Sequence, residues 1–219
     1  MGLIKELGLV NIFDTDEDEL EPLKQQIVKH DGQVHVFVHL LSERLTPQIL
    51  ALPSYRTLAN GLTQYRQEGL PIIFAEEPRK SFDLPQAFSL SSIEQPIYLL
   101  ETRANDPHPV PPITWSNLIQ LFKGLEIQKV ILGGMYLRYD NIQYLSDERL
   151  DRIKGRLAED SEVSRYITMR RFDFNNLLPQ GCVGDLALRL LEGGIDFDFS
   201  HLCLKTDKNL VEPSYLIRG

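Results

Sequence analysis

Four short apolar runs each end in residues able to carry chemistry. Val34 to Leu41 contains His35 and His39 and leads into Ser42 and Glu43. Leu70 to Ala75 is followed by Glu76, Glu77, Arg79 and Lys80. Pro96 to Leu100 is followed by Glu101, Thr102 and Arg103, and Val130 to Leu132 by Gly133, Gly134, Tyr136, Arg138 and Asp140. A histidine with a pKa near neutrality suits a general base, and His39 stands where such a group would meet a substrate. Glu76, Gly133, Gly134, Tyr136 and Arg138 are candidate ligand-binding positions. Cys182 opens an apolar helix, and a helix N-terminus lowers a thiol pKa, so it is the candidate nucleophile toward a carbonyl or amide carbon. A small buried residue would occupy the same place, and both readings stand. His35 and His39 lack the spacing of a metal site, and no metal site is expected.

The elements that must position these groups follow from periodicity. The four runs, Ile195 to Phe199 and the weaker Leu9 to Phe13 read as strands. Tyr55, Leu58, Leu62 and Tyr65 lie on one helical stripe that Gly69 ends. Leu118, Leu121, Phe122 and Leu125 repeat the unit with Thr114 as N-cap, and Val183, Leu186, Ala187 and Leu190 repeat it again before Gly193 and Gly194. Helix, short turn and strand in succession predict a three-layer α/β/α fold with a mostly parallel, Rossmann-like sheet. In it the strands at Val34, Ile72 and Val130 are neighbours, and Leu121 and Leu186 are buried. In such a sheet, ligands sit outside the carboxyl ends of the strands where strand order reverses.

Two regions break the rhythm. Residues 103–112 hold four prolines in ten positions, which predicts an extended surface loop. Residues 138–179 read as an insertion with a helix capped by Ser146 and carrying Leu150, Ile153 and Leu157, followed by a possible strand at Tyr166 to Phe174. Asp14 to Glu21 places six carboxylates in eight residues, ahead of a helix expected to start at Pro22. Gly181 and Gly184 open a helix whose free N–H groups suit an anion, and close helix packing accounts for them equally.

Three blocks, 34–75, 113–134 and 181–199, resemble in their strand, loop, helix and glycine pattern the isochorismatase-like hydrolases. The resemblance implies an Asp after the first strand, a Lys after the third and a Cys shortly after the glycine of the fourth. Here the Asp position falls on or near His39, the Lys position on Glu101 or Arg103, and the Cys position near Tyr139 or Asp140. The family's triad is therefore absent. This implies a relative that binds a small molecule or a protein; the alternative is a hydrolase with Cys182 as nucleophile, His39 as base and Glu101 or Arg103 in the activating place. A further alternative comes from Asp14 and Asp16 after an apolar strand, a pattern similar to the opening of haloacid-dehalogenase-like phosphatases, which implies Mg²⁺-dependent phosphoryl chemistry.

Composition narrows the rest. The 219 residues, 42% hydrophobic, suffice for one core, read here as one α/β domain. The formal charge of 23 − 31 = −8, without a Lys/Arg cluster, argues against nucleic acid. Two cysteines exclude a disulfide scaffold. No apolar run of membrane length and no secretory pattern are present, so a cytoplasmic location is expected. A small-molecule ligand and a homo-oligomer complete the expectations, and no cofactor is specified.

Overall fold

The computed structural model describes residues 8–41, 51, 53–88, 90, 95–103, 106–134, 138–158, 161–170, 177–207 and 210–213. The chain runs through β1 (Leu9–Asn11), α1 (Glu17–Lys29), β2 (Gln33–Val38), α2 (Pro53–Gln67), β3 (Ile72–Glu76), and two single turns, α3 (Pro78–Ser81) and α4 (Leu84–Ala87). Then come β4 (Ile97–Arg103), β5 (Asp106–Pro109), α5 (Trp115–Gly124) and β6 (Lys129–Gly134). The last part holds β7 (Arg138–Asn141), a 3₁₀ turn (Ile142–Tyr144), α6 (Asp147–Lys154), α7 (Glu162–Thr168), β8 (Leu177–Gln180), α8 (Gly181–Glu192), β9 (Asp196–Asp207) and β10 (Leu210–Pro213).

The main sheet has the order β1-β4-β3-β2-β6-β9-β10. Neighbours from β1 to β9 are all parallel, and β10 closes the edge antiparallel to β9. The chain steps outward from β2 to β3 and β4, then crosses back through α5 to β6 on the other side of β2. Right-handed crossovers in opposite directions must place their helices on opposite faces. Accordingly α1, α5 and α8 cover one face, with Leu23, Ile27, Phe122, Val183 and Leu186 packed on Val34, Val36, Val130 and Leu132. Helix α2, with Leu84, Phe88 and Leu90, covers the other, where Tyr55, Leu58 and Leu62 meet Phe37, Phe74 and Leu99. This is the three-layer α/β/α arrangement expected, and the strands at Val34, Ile72 and Val130 are parallel neighbours.

Local chemistry sets the element ends. The backbone N–H of Asn117 donates to the hydroxyl of Thr114, and the N–H of Thr114 donates to Oδ1 of Asn117, a reciprocal cap at the start of α5. The hydroxyls of Ser146 and Ser161 cap α6 and α7. Gly69, with φ +70°, turns the chain from α2 into β3.

Four expectations need correction. Helix α1 begins at Glu17 rather than at Pro22, which lies inside it; Glu17, Asp18 and Glu19 form the first turn, where the positive end of the helix dipole favours them. Tyr166, Ile167 and Thr168 are helical, because the Ser161 cap starts a helix through them; 171–174 lie outside the described residues. The proline-rich stretch is not a surface loop throughout: Asp106 to Pro109 pairs antiparallel with Thr102 and Arg103 at the end of β4, Pro107 and Pro109 are buried, and Pro111 and Pro112 form a turn, while 104–105 lie outside the described residues. Leu186 is buried, whereas Leu121 is only partly so: Leu118 and Phe122 face the sheet, and Leu121 flanks them.

Residues 138–180 leave the sheet and return beside their point of exit. β7 and β8 pair antiparallel from Arg138 opposite Gln180 to Asn141 opposite Leu177. The chain between them has its own cluster, with Ile142, Leu150, Ile153, Val163, Ile167 and Leu178 packed against Leu188 on α8.

Candidate functional site

The strand order reverses between β2 and β6, so the ends of these two strands and of β3 and β4 frame the place where a doubly wound sheet binds ligands. His39 follows β2 directly. Its N–H donates to the carbonyl of Ala75 at 2.8 Å, and its φ of +51° lies in the left-handed region that few non-glycine residues adopt. The side chain is fully buried (0% exposed), and Nε2 lies 2.9 Å from Oγ1 of Thr102. Because β3 lies between β2 and β4, this contact ties the first core strand to the third across the end of the second. Backbone strain at a buried polar contact is a mark of sites that structure must hold in place.

Glu76 ends β3 and is 1% exposed. Its Oε2 accepts the N–H of Leu41 at 2.8 Å and its Oε1 the N–H of Glu77 at 3.0 Å, so the chain leaving β2 is pinned to the end of β3. Burial pushes its carboxyl up to about 7, only partly offset by the two N–H donors and the charge of Lys80. Glu101 stands opposite Glu76 in the parallel register and is half-buried. Burial, then the charge of Asp14, raises its pKa too. The rim thus holds two neighbouring carboxyls whose pKa values burial raises, beside a buried histidine.

Gly133 and Gly134 close β6 where the ladder meets β2. A Cβ on Gly133 would fall 2.4 Å from Cε1 of Phe37, whose ring fills that space. Gly134 has φ +118° and lies opposite Val38.

The other expected residues fall apart. Arg103 is exposed at the end of β4. Tyr136 lies outside the described residues, as do Ser42 and Glu43, and Arg138 is described by its backbone alone, opening β7. Asp140, near the position where the resembled family carries its nucleophile, is bound to Arg149 of α6 at 2.8 Å. Cys182 is the second residue of α8, 8% exposed, and packs in the larger core cluster. Asp14 accepts the Asn11 amide at 3.0 Å, and Asp16 occupies the N-cap position of α1 without a side-chain bond to the helix. Among the described residues no group of three or more His, Cys, Asp or Glu is disposed to hold a metal ion, and no helix is long and apolar enough to cross a membrane. Thr102 is visible in the sequence only as a residue following the third run; it is 63 residues from His39, and no local signal joins the two.

No family model matches the chain, and no curated protein or solved structure shows significant similarity to it.

The Glu76 carboxyl should leave a signature in stability. Its folded pKa of about 7 lies above the ordinary 4.5. Its contribution is therefore complete below pH 4.5 and is lost as pH rises through 7, roughly 2–4 kcal/mol across that window. His35 runs the other way: burial, then His201 and His30, lower it to about 4, so its contribution is lost as pH falls from 6.5 toward 4. The comparison must therefore be with a variant. Urea titrations from pH 5 to 8 should show wild type losing stability relative to Glu76→Gln, and parallel curves would refute the assignment.

Proposed function

We propose that this protein binds a small molecule at the rim between β2 and β6 and is a relative of the isochorismatase-like hydrolases without their thiol chemistry. The kinship rests on the parallel sheet, the crossover helices and the glycines ending β6. The observation that carries the loss of chemistry is that the groups at the expected positions are engaged by the protein itself. His39 contacts Thr102, and Asp140 is paired with Arg149. The one thiol opening a helix, Cys182, is packed in the core. The half-buried carboxyl of Glu101, opposite Glu76, can accept hydrogen bonds from a donor-rich ligand such as a polyol.

The test uses the thiol, with Cys203→Ser isolating Cys182. Iodoacetamide should label Cys182 slowly in the native protein at neutral pH and rapidly once urea unfolds it. Fast native labelling with an apparent pKa below about 7 would restore the hydrolase reading, with Cys182 as nucleophile and His39 as base. In a thermal-shift screen, a compound of the proposed class should raise the melting temperature of wild type and do so less for Glu101→Gln.

A further inference from the structure

A second site lies away from the rim, between the 138–180 insertion and the α5–α8 layer. A cavity of about 350 Å³ opens there, the size of small-ligand pockets. Its floor is aliphatic: Ile153 and Leu157 from the insertion and Leu188 from the outer side of α8. One wall is aromatic, with Trp115 at the start of α5 and His108 on β5 meeting edge to face at 5.3 Å between ring centres. The polar groups are Arg156, Arg189 and Asp185.

The arginines decide what the cavity suits. The guanidinium of Arg189 lies 5.4 Å from the centre of the Trp115 ring, so it is both stacked and positioned. A guanidinium has five N–H donors. Arg156 gives one to Asp185 at 2.7 Å, and Arg189 gives one to Glu192 at 2.9 Å. Glu192 is not part of the lining and also accepts the N–H of Ala158 at 2.6 Å. Each arginine is thus paired with one carboxylate, so the cluster is neutral, and what it offers an anion is the guanidinium N–H donors that these pairs leave unused. A planar oxyanion can be held by paired guanidinium donors. A ring attached to it would fill the space between Trp115 and the aliphatic floor.

We propose that this cavity is a binding site for a small aromatic carboxylate, its ring between Trp115 and Leu188 and its carboxylate on Arg156 and Arg189. The proposal does not depend on the rim: none of these residues belongs to it, so either site can fail alone.

Trp115 is the only tryptophan in the chain, so its emission reports on this cavity directly. Benzoate titrated into the full chain should change that emission saturably. Benzylamine and benzyl alcohol, which keep the ring and lose the carboxylate, should bind at least about tenfold more weakly. Arg156→Gln should weaken benzoate by about tenfold or more. Arg156 is largely exposed, so this variant should keep the wild-type circular dichroism and melting temperature. A flat benzoate titration, equal binding of benzylamine through Asp185, or unchanged affinity in Arg156→Gln would each overturn the proposal.

Discussion

Replacing Gly134 with alanine is expected to cost roughly 3–5 kcal/mol, a large part of the 5–15 kcal/mol that holds a typical domain together. A Cβ at this position would stand 2.2 Å from the carbonyl oxygen and 2.5 Å from the nitrogen of Val38. Those atoms belong to the neighbouring strand, and no side-chain rotation relieves the contact. The φ of +118° adds a backbone penalty that glycine alone avoids. The relief available is to part β2 from β6 at the reversal of the sheet. Gly124→Ala is the control: it ends α5 with open space around it, and alanine there should be neutral or stabilising by up to about 1 kcal/mol. Urea titration of the two variants reads both effects. A loss below about 1 kcal/mol for Gly134→Ala would mean that the β2–β6 register at the rim is wrong.

The second large effect separates two adjacent residues of α5. Phe122 is fully buried against Val34, Val130 and Leu132, and Phe122→Ala should cost about 3–5 kcal/mol. Leu121→Ala should cost about 1 kcal/mol, because that side chain lies at the edge of the stripe and already meets solvent. Denaturant titrations of both variants fix the rotation of the helix about its axis. Equal losses would place both residues at the centre of the packed face and contradict the arrangement.

That pair also shows where reading the sequence stops. Leu118, Leu121, Phe122 and Leu125 declare an amphipathic helix, and Thr114 its start, but a stripe of four apolar residues spans more than one side chain's width. Which of them points inward is set by the sheet beneath. Likewise the apolar runs declare strands, and helices between them declare parallel pairing, so the three-layer class was legible. The order of the strands was not. Nothing in Leu9 to Asn11 says that its partner is Ile97 to Leu99, since parallel pairing leaves no local turn to read. At the rim, strict alternation along β2 would carry His39 on the same face as His35 and Phe37. The left-handed turn at His39 ends that alternation, and its contact with Thr102 depends on strand order. Glu76 and Glu101 were visible as residues after strands. Their being opposite one another was not.

The pairing of β1 with β4 also has a consequence for the chain as it is made. Leu9 to Asn11 finds its partner only when Leu99 has been added, 99 − 11 = 88 residues after Asn11. At about 5–20 residues per second, the nascent chain carries this apolar segment unpaired for roughly 4–18 s. The segment is sticky: Leu9 and Ile12 are both buried in the finished fold. Immediately behind it come the six carboxylates of Asp14 to Glu21. Charges beside an unpaired apolar strand act as gatekeepers, making its association with another copy costly while it waits. The acidic run that begins α1 thus also shields the strand before it from aggregation during synthesis.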